Sequence, residues 1–307
     1  MKINTFSGFR FLMAFLVFMC HYMGLIIRST ACDFWGALAV EAFFILSGFC
    51  IYLGYSNKFT SIKKNDYLDF EIKRISKIYP LYIITMFIVL LINLIQQIAS
   101  KFLFLSILHQ FFKTGIKAVV SLLMIQTLIP EYMLIGNGAA WFISCIFIIY
   151  LFCPLILFLF NKIKFSAVKA VLAFLVCVLI IFLCDYCVLK INTIINYDDF
   201  CAFYYTYPFF RLIDFTAGIF LGILFSEVKS SKKLYKFDYS NNKIRFFLFS
   251  LIEFFSFILP FYLSSISIKT FPLGQKFIYA FFMGILVFCL ALEQGCISKI
   301  LKTKFFN

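Results

Sequence analysis

The chain has 307 residues, 64% of them hydrophobic and 14% charged, with a mean hydropathy of +1.00. A soluble domain carries roughly 45–50% apolar residues, so the composition excludes one and predicts an all-α, polytopic transmembrane helix bundle. The formal charge of +14 falls largely in loops beside apolar runs, where topology and anionic membrane lipid account for it; it does not indicate nucleic acid as a partner.

Apolar stretches of spanning length fall at 8–28, 34–54, 79–98, 141–161, 167–187, 208–227, 246–263 and 274–293, each close to the ~20 residues that a bilayer core requires. The first reads as a retained span and not a signal peptide, because no small-residue cleavage site precedes the next apolar run. A ninth stretch, 118–132, is shorter, ends at Pro130 and Glu131, and is expected to be re-entrant or peripheral. The alternative threading has it cross together with a further span hidden in 101–116. With no linker, repeat or Gly-rich phosphate loop, residues 1–307 are expected to form a single integral membrane domain.

Basic residues orient the spans, since Lys and Arg accumulate in cytoplasmic loops. Segment 55–78 carries Lys58, Lys63, Lys64, Lys73, Arg74 and Lys77, and segment 228–245 carries Lys229, Lys232, Lys233, Lys236, Lys243 and Arg245. The outer loops hold only Arg28, Lys101, Lys113, Lys117, Lys190 and Lys269. The N-terminus is therefore expected in the cytoplasm and the protein in a bacterial inner membrane.

The polar residues inside these runs carry the functional information, because an ionisable side chain within a span normally faces a bundle interior or a wet cavity. The first span, GFRFLMAFLVFMCHY, holds Arg10 and His21. Eleven residues of helix correspond to about 1100° of rotation and roughly 16 Å of rise, which places both on one stripe, Arg10 toward the inside and His21 toward the outside. Snorkelling alone accounts for Arg10, but neutral imidazole is also the usual general base near neutral pH. The second span, ALAVEAFFILSGFCIYLGY, buries Glu41, and its Ser47 and Gly48 suit close helix packing. FEIKRISKIYPLY places Arg74 and Lys77 three residues apart, where positive-inside topology and a phosphate clamp are both adequate readings.

Farther along, AAWFISCIFIIYLFCP carries Trp141 and Ser144, and YPFFRLIDFTAGIFLG carries Arg211 and Asp214 at i, i+3 followed by Gly218 and Gly222. An interfacial aromatic, an intrahelical ion pair and a G-x-x-x-G packing face are the structural readings of this group. Of the 11 cysteines, most lie within apolar runs and behave as small hydrophobes. Cys184 and Cys187 have C-x-x-C spacing without a histidine or second pair nearby, so no metal is expected.

Together these motifs resemble the acyltransferase 3 family of integral membrane acyltransferases. The resemblance rests on Arg10 and His21 in the first span, FFILSGF (Phe43 to Phe49) in the second and KRISKIYP at the mouth of the third, extended by WFIS with Tyr150 and by RLIDF with two trailing glycines. It implies transfer of an acyl group, usually acetyl, from a cytoplasmic acyl-CoA to a hydroxyl of a cell-envelope polysaccharide or lipid-linked sugar. Acetyl-CoA is then the donor substrate, with no permanently bound cofactor. His21 takes the place of the essential histidine, with Arg10 as its paired arginine; apart from the resemblance, Glu41 is read as the carboxylate that orients or neutralises the imidazolium. Arg10, Arg74 and Lys77 are the donor-binding cations, and Ser47, Trp141, Ser144, Arg211 and Asp214 the substrate-binding candidates.

Lys77 departs from the arginine frequent at its position and lacks the bidentate fork. Ser144-Cys145-Ile146 replaces the glutamate that some glycan acetylases carry soon after the tryptophan. Members also continue into a G-x-x-S-Y-x-x-Y-L-x-H-like final span, whereas this chain reads KILKTKFFN where that span would begin. Two other readings therefore stay open: a transporter or flippase of a lipid-linked sugar, and an inactive truncated remnant. The oligomeric state stays open as well.

Overall fold

The computed structural model describes residues 3–27, 33–99, 104–135, 137–195, 198–230, 242–266 and 275–303. Among them helix is the only regular secondary structure. Among the described residues seven helices are long and apolar enough to cross a membrane, and Lys276–Leu292 is a shorter apolar helix. The all-α bundle expected from composition is thus what the chain forms. Arg28, Lys101, Lys269 and the cluster Lys232, Lys233 and Lys236 lie outside the described residues.

The elements are α1 (Thr5–Tyr22), α2 (Asp33–Tyr55), α3 (Lys64–Ala99), α4 (Phe104–Leu122), α5 (Trp141–Asn161), α6 (Ala167–Ile195), α7 (Asp198–Thr206), α8 (Pro208–Ser230), α9 (Asn242–Ile266), α10 (Lys276–Leu292) and α11 (Cys296–Leu301). They group into two compact units, one of residues 1–57, 163–197 and 213–307 and one of residues 58–162 and 198–212.

In the first unit α10 is central, packing on α2, α6, α9 and α1 through Tyr279, Ala280, Met283, Leu286, Val287 and Leu290. A second contact, between α2 and α8, explains the glycines of FFILSGF and RLIDFTAG. A Cβ on Gly48 would run into the carbonyl of Phe215, and one on Gly218 into the carbonyl of Ile45. Two backbones touch here with no side chain between them, the approach that small residues permit where apolar burial cannot drive association.

The first unit also joins its two ends. α10 stops at Glu293, whose backbone is left-handed (φ 58°) and whose N–H returns to the Cys289 and Leu290 carbonyls. The Glu293 carboxylate accepts the Asn4 and Thr5 N–H groups at 3.0 and 3.4 Å, and the Thr5 hydroxyl donates to the Leu290 carbonyl at 2.9 Å. Since the first turn of a helix leaves N–H groups without intrahelical acceptors, Glu293 is the cap of α1. Lys302 fixes the other carboxylate oxygen at 2.7 Å. Nearby, buried Glu253 accepts both the backbone N–H and the hydroxyl of Ser298 on α11.

In the second unit α3 has 36 residues, about 54 Å at 1.5 Å per residue. It therefore starts at Lys64, well before the apolar run at 79–98 that hydropathy detects. It packs on α4 and α5. The hydroxyls of Tyr79 and Tyr82 donate to the Leu122 and Ser121 carbonyls at 3.1 and 2.7 Å, satisfying the last turn of α4. The stretch 118–132 is not a continuous helix: α4 ends at Leu122, Met124 is left-handed (φ 54°), and short 3₁₀ turns follow at Gln126–Leu128 and Pro130–Tyr132. This favours the peripheral or re-entrant reading over a helical crossing.

Candidate active site

In the first unit, Arg10 and His21 share one uninterrupted α-helix, so the single-stripe spacing read from the sequence holds in the fold. Both side chains are exposed. They flank the buried stripe of α1, which holds Phe6, Phe9 and Met13. An Arg10 Nη donates to Cys50 Sγ on α2 at 3.2 Å, and a π-helical turn, Met23–Ile27, follows directly after the histidine turn.

His21 has an electrostatic partner in Asp33, the first residue of α2. Sequence reasoning assigned that part to Glu41, which lies eight residues farther along α2, about 12 Å in helix rise, and is 1% exposed. Asp33 was overlooked because it precedes the apolar run and resembles an ordinary helix-start carboxylate. Ser47, next to the α2–α8 contact, is half-buried.

Asp214 is fully buried and pairs with Lys276 Nζ at 3.0 Å, the two side chains being 0% and 3% exposed. One residue on, the Phe277 N–H donates to Asp185 on α6 at 3.0 Å, so buried carboxylates of α6 and α8 both meet the start of α10. The pair that Asp214 makes with Lys276 runs between helices, from α8 to α10.

In the second unit, Arg211 is also fully buried. Its Nε donates to the Tyr205 carbonyl at 2.7 Å, and its guanidinium lies 4.2 Å from the Tyr205 ring and 5.6 Å from the Trp141 ring. Ser144 donates to the Met124 carbonyl at 2.7 Å and shares a 2.8 Å hydrogen bond with Thr127. Trp141, Ser144 and Arg211 thus hold the 3₁₀ turns and α7 against α5.

Arg74 and Lys77 differ in surroundings. Arg74 is half-buried, with its guanidinium 5.4 Å from the Phe70 ring and 5.9 Å from the Tyr150 ring, cation–π distances. The Tyr67 hydroxyl donates to the Leu151 carbonyl at 2.9 Å, so this part of α3 lies beside the middle of α5. Lys77 is exposed. Between α2 and α3, Lys58 pairs with Asp66 at 3.2 Å and Asp69 at 3.5 Å. Desolvation pulls its pKa down, but the hydrogen bonds and charges of those carboxylates together outweigh it and raise the pKa.

Among the described residues no group of three or more His, Cys, Asp or Glu side chains is placed to hold a metal. Cys184 is half-buried and Cys187 exposed on α6, both as free thiols.

The sequence matches the acyltransferase domain of the acyltransferase 3 family over residues 3–300. The chain belongs to the acyltransferase 3 family. Neither a curated protein nor a solved structure matches it. With its apolar helices, this acyltransferase is an integral, multi-pass membrane protein.

Proposed function

We propose that this acyltransferase moves an acyl group, with acetyl as the expected one, from cytoplasmic acyl-CoA to a hydroxyl of a cell-envelope polysaccharide or lipid-linked sugar. The observation that carries the reading is the continuity of α1, which presents Arg10 and His21 on one side chain stripe roughly 16 Å apart. Such a separation suits a donor with an anionic nucleotide end and a thioester on a long flexible arm.

In this reading His21 takes the proton of the acceptor hydroxyl, the oxygen attacks the thioester carbonyl, and the carbon–sulfur bond breaks to release CoA thiolate. Asp33 supports the imidazolium that forms, and Glu41 adds negative charge deeper along α2. Arg74 and Lys77 are the cations for the donor's phosphates, and Arg10 is proposed separately as a donor-binding cation of the first unit. Ser47 and Asp214 in the first unit, and Trp141, Ser144 and Arg211 in the second, are the substrate-binding candidates of this reading. The N-terminus is cytoplasmic in this scheme, and the membrane is the bacterial inner membrane.

Sided vesicles test the donor side. Labelled acetyl-CoA supplied to inverted vesicles is expected to yield an alkali-labile acetyl ester, with little from sealed right-side-out vesicles. Equal transfer in both would reverse the assigned orientation. Movement of unmodified lipid-linked sugar without ester formation would favour a flippase instead.

A further inference from the structure

Glu71 lies one turn before Arg74 on α3 and was not among the site residues read from the sequence. It is 5% exposed, and among the described residues neither carboxyl oxygen has a hydrogen-bond partner. The titratable and charged groups that act on it are Tyr67 and Arg74 on α3 and Cys153 on α5. The Tyr67 hydroxyl is already donated to Leu151, and the rings of Phe70 and Tyr150 stand against the Arg74 guanidinium. A buried ionised carboxylate without hydrogen bonds is costly, and here Arg74 is the cation whose field reaches it. An anion approaching Arg74 therefore meets the negative charge of Glu71 as well.

We propose that Glu71 is a proton-linked determinant of anion binding at Arg74: ionised, it offsets the guanidinium and opposes an incoming phosphate, and protonated, it no longer does. The inference rests on Arg74 contacting the donor's phosphates. Only a proton moves, from solvent to the carboxylate. A ligand that favours the neutral acid binds with proton uptake, and by reciprocity its affinity rises as pH falls. The ligand phosphate's own second ionisation, at about pH 6, has the opposite sign, because a cation favours the dianion and releases a proton. Net uptake above neutrality therefore reports the carboxyl. A merely structural glutamate would act the other way, its loss loosening both fold and binding.

The test is calorimetric titration of CoA into the full chain in lipid nanodiscs, at and above neutral pH, in two buffers of different ionisation enthalpy. Wild type is expected to take up a fraction of a proton and to bind more weakly as pH rises. Glu71→Gln keeps the shape without the charge and is expected to bind about tenfold tighter at the alkaline end, with no uptake. Arg74→Ala is expected to bind more weakly than wild type. If Arg74→Ala binds CoA like wild type, the donor reading of Arg74 fails and this inference falls with it. If Arg74→Ala is weakened but Glu71→Gln binds no tighter than wild type, only the role of Glu71 is overturned. Should Glu71→Gln not fold, proton uptake by wild type decides alone, and its absence overturns the proposal.

Discussion

Replacing Lys276 with Met leaves the Asp214 carboxylate buried without its ammonium, and replacing Asp214 with Leu leaves the converse. Both partners are essentially inaccessible and 3.0 Å apart, so neither remaining charge can recover its hydration without local opening. Removing one member of such a pair costs about 3–5 kcal/mol, whereas replacing both with apolar groups of similar volume is often near neutral. Each single variant is therefore expected to melt about 10 °C below wild type, from the few degrees per kcal/mol typical of a chain this long. Lys276→Met/Asp214→Leu is expected to recover most of that loss, since the Asp185 contact to Phe277 at the start of α10 is left in place. The assay is thermal unfolding of detergent-solubilised protein followed by fluorescence-detected size exclusion, with the coupling taken from the double-mutant cycle. If the double variant falls by the sum of the two singles, the pair has no coupling and the argument from its burial is wrong.

Two further perturbations use the same unfolding assay. Gly48→Ala drives a methyl into the Phe215 carbonyl, while Gly54→Ala on the same helix meets nothing within 4 Å. The first is expected to destabilise by about 1–3 kcal/mol and the second to be neutral or stabilising by up to about 1 kcal/mol; equal shifts would deny the α2–α8 backbone contact. Glu293→Ala removes the acceptor for the Asn4 and Thr5 N–H groups and the partner of Lys302. A loss of about 1 kcal/mol is expected, with Glu293→Asp and Glu293→Gln intermediate, and an unchanged melting temperature would remove the cap from the account.

The arrangement of α1 was legible because a helix converts sequence spacing directly into a face, and α1 is regular from Thr5 to Tyr22. The packing glycines were legible for a similar reason: Gly48 and Gly218 interrupt apolar runs where nothing else calls for a small residue. What the sequence concealed depends on register between distant helices. Hydropathy dates the third span from residue 79, but α3 begins at Lys64, so Glu71 and Arg74 lie beside Tyr150 and Cys153 of α5 although they sit in a stretch that reads as a charged loop. Lys276 resembles an ordinary basic residue at the start of an apolar run, and only the fold places it on Asp214. The hydroxyl of Ser144 suggested a ligand contact, and its actual partners, Met124 and Thr127, lie in 3₁₀ turns that no periodicity announces. Asp33, whose charge is felt by His21, drew no notice because it precedes the apolar run, whereas Glu41 is conspicuous within it.

The central claim is that His21 serves acyl transfer from acyl-CoA, and it is tested most directly in inverted membrane vesicles given labelled acetyl-CoA. The account predicts alkali-labile label on an extractable glycan or lipid-linked sugar with the wild-type chain and its loss with His21→Ala at equal protein level and equal melting temperature. Transfer by His21→Ala at the wild-type rate would contradict it.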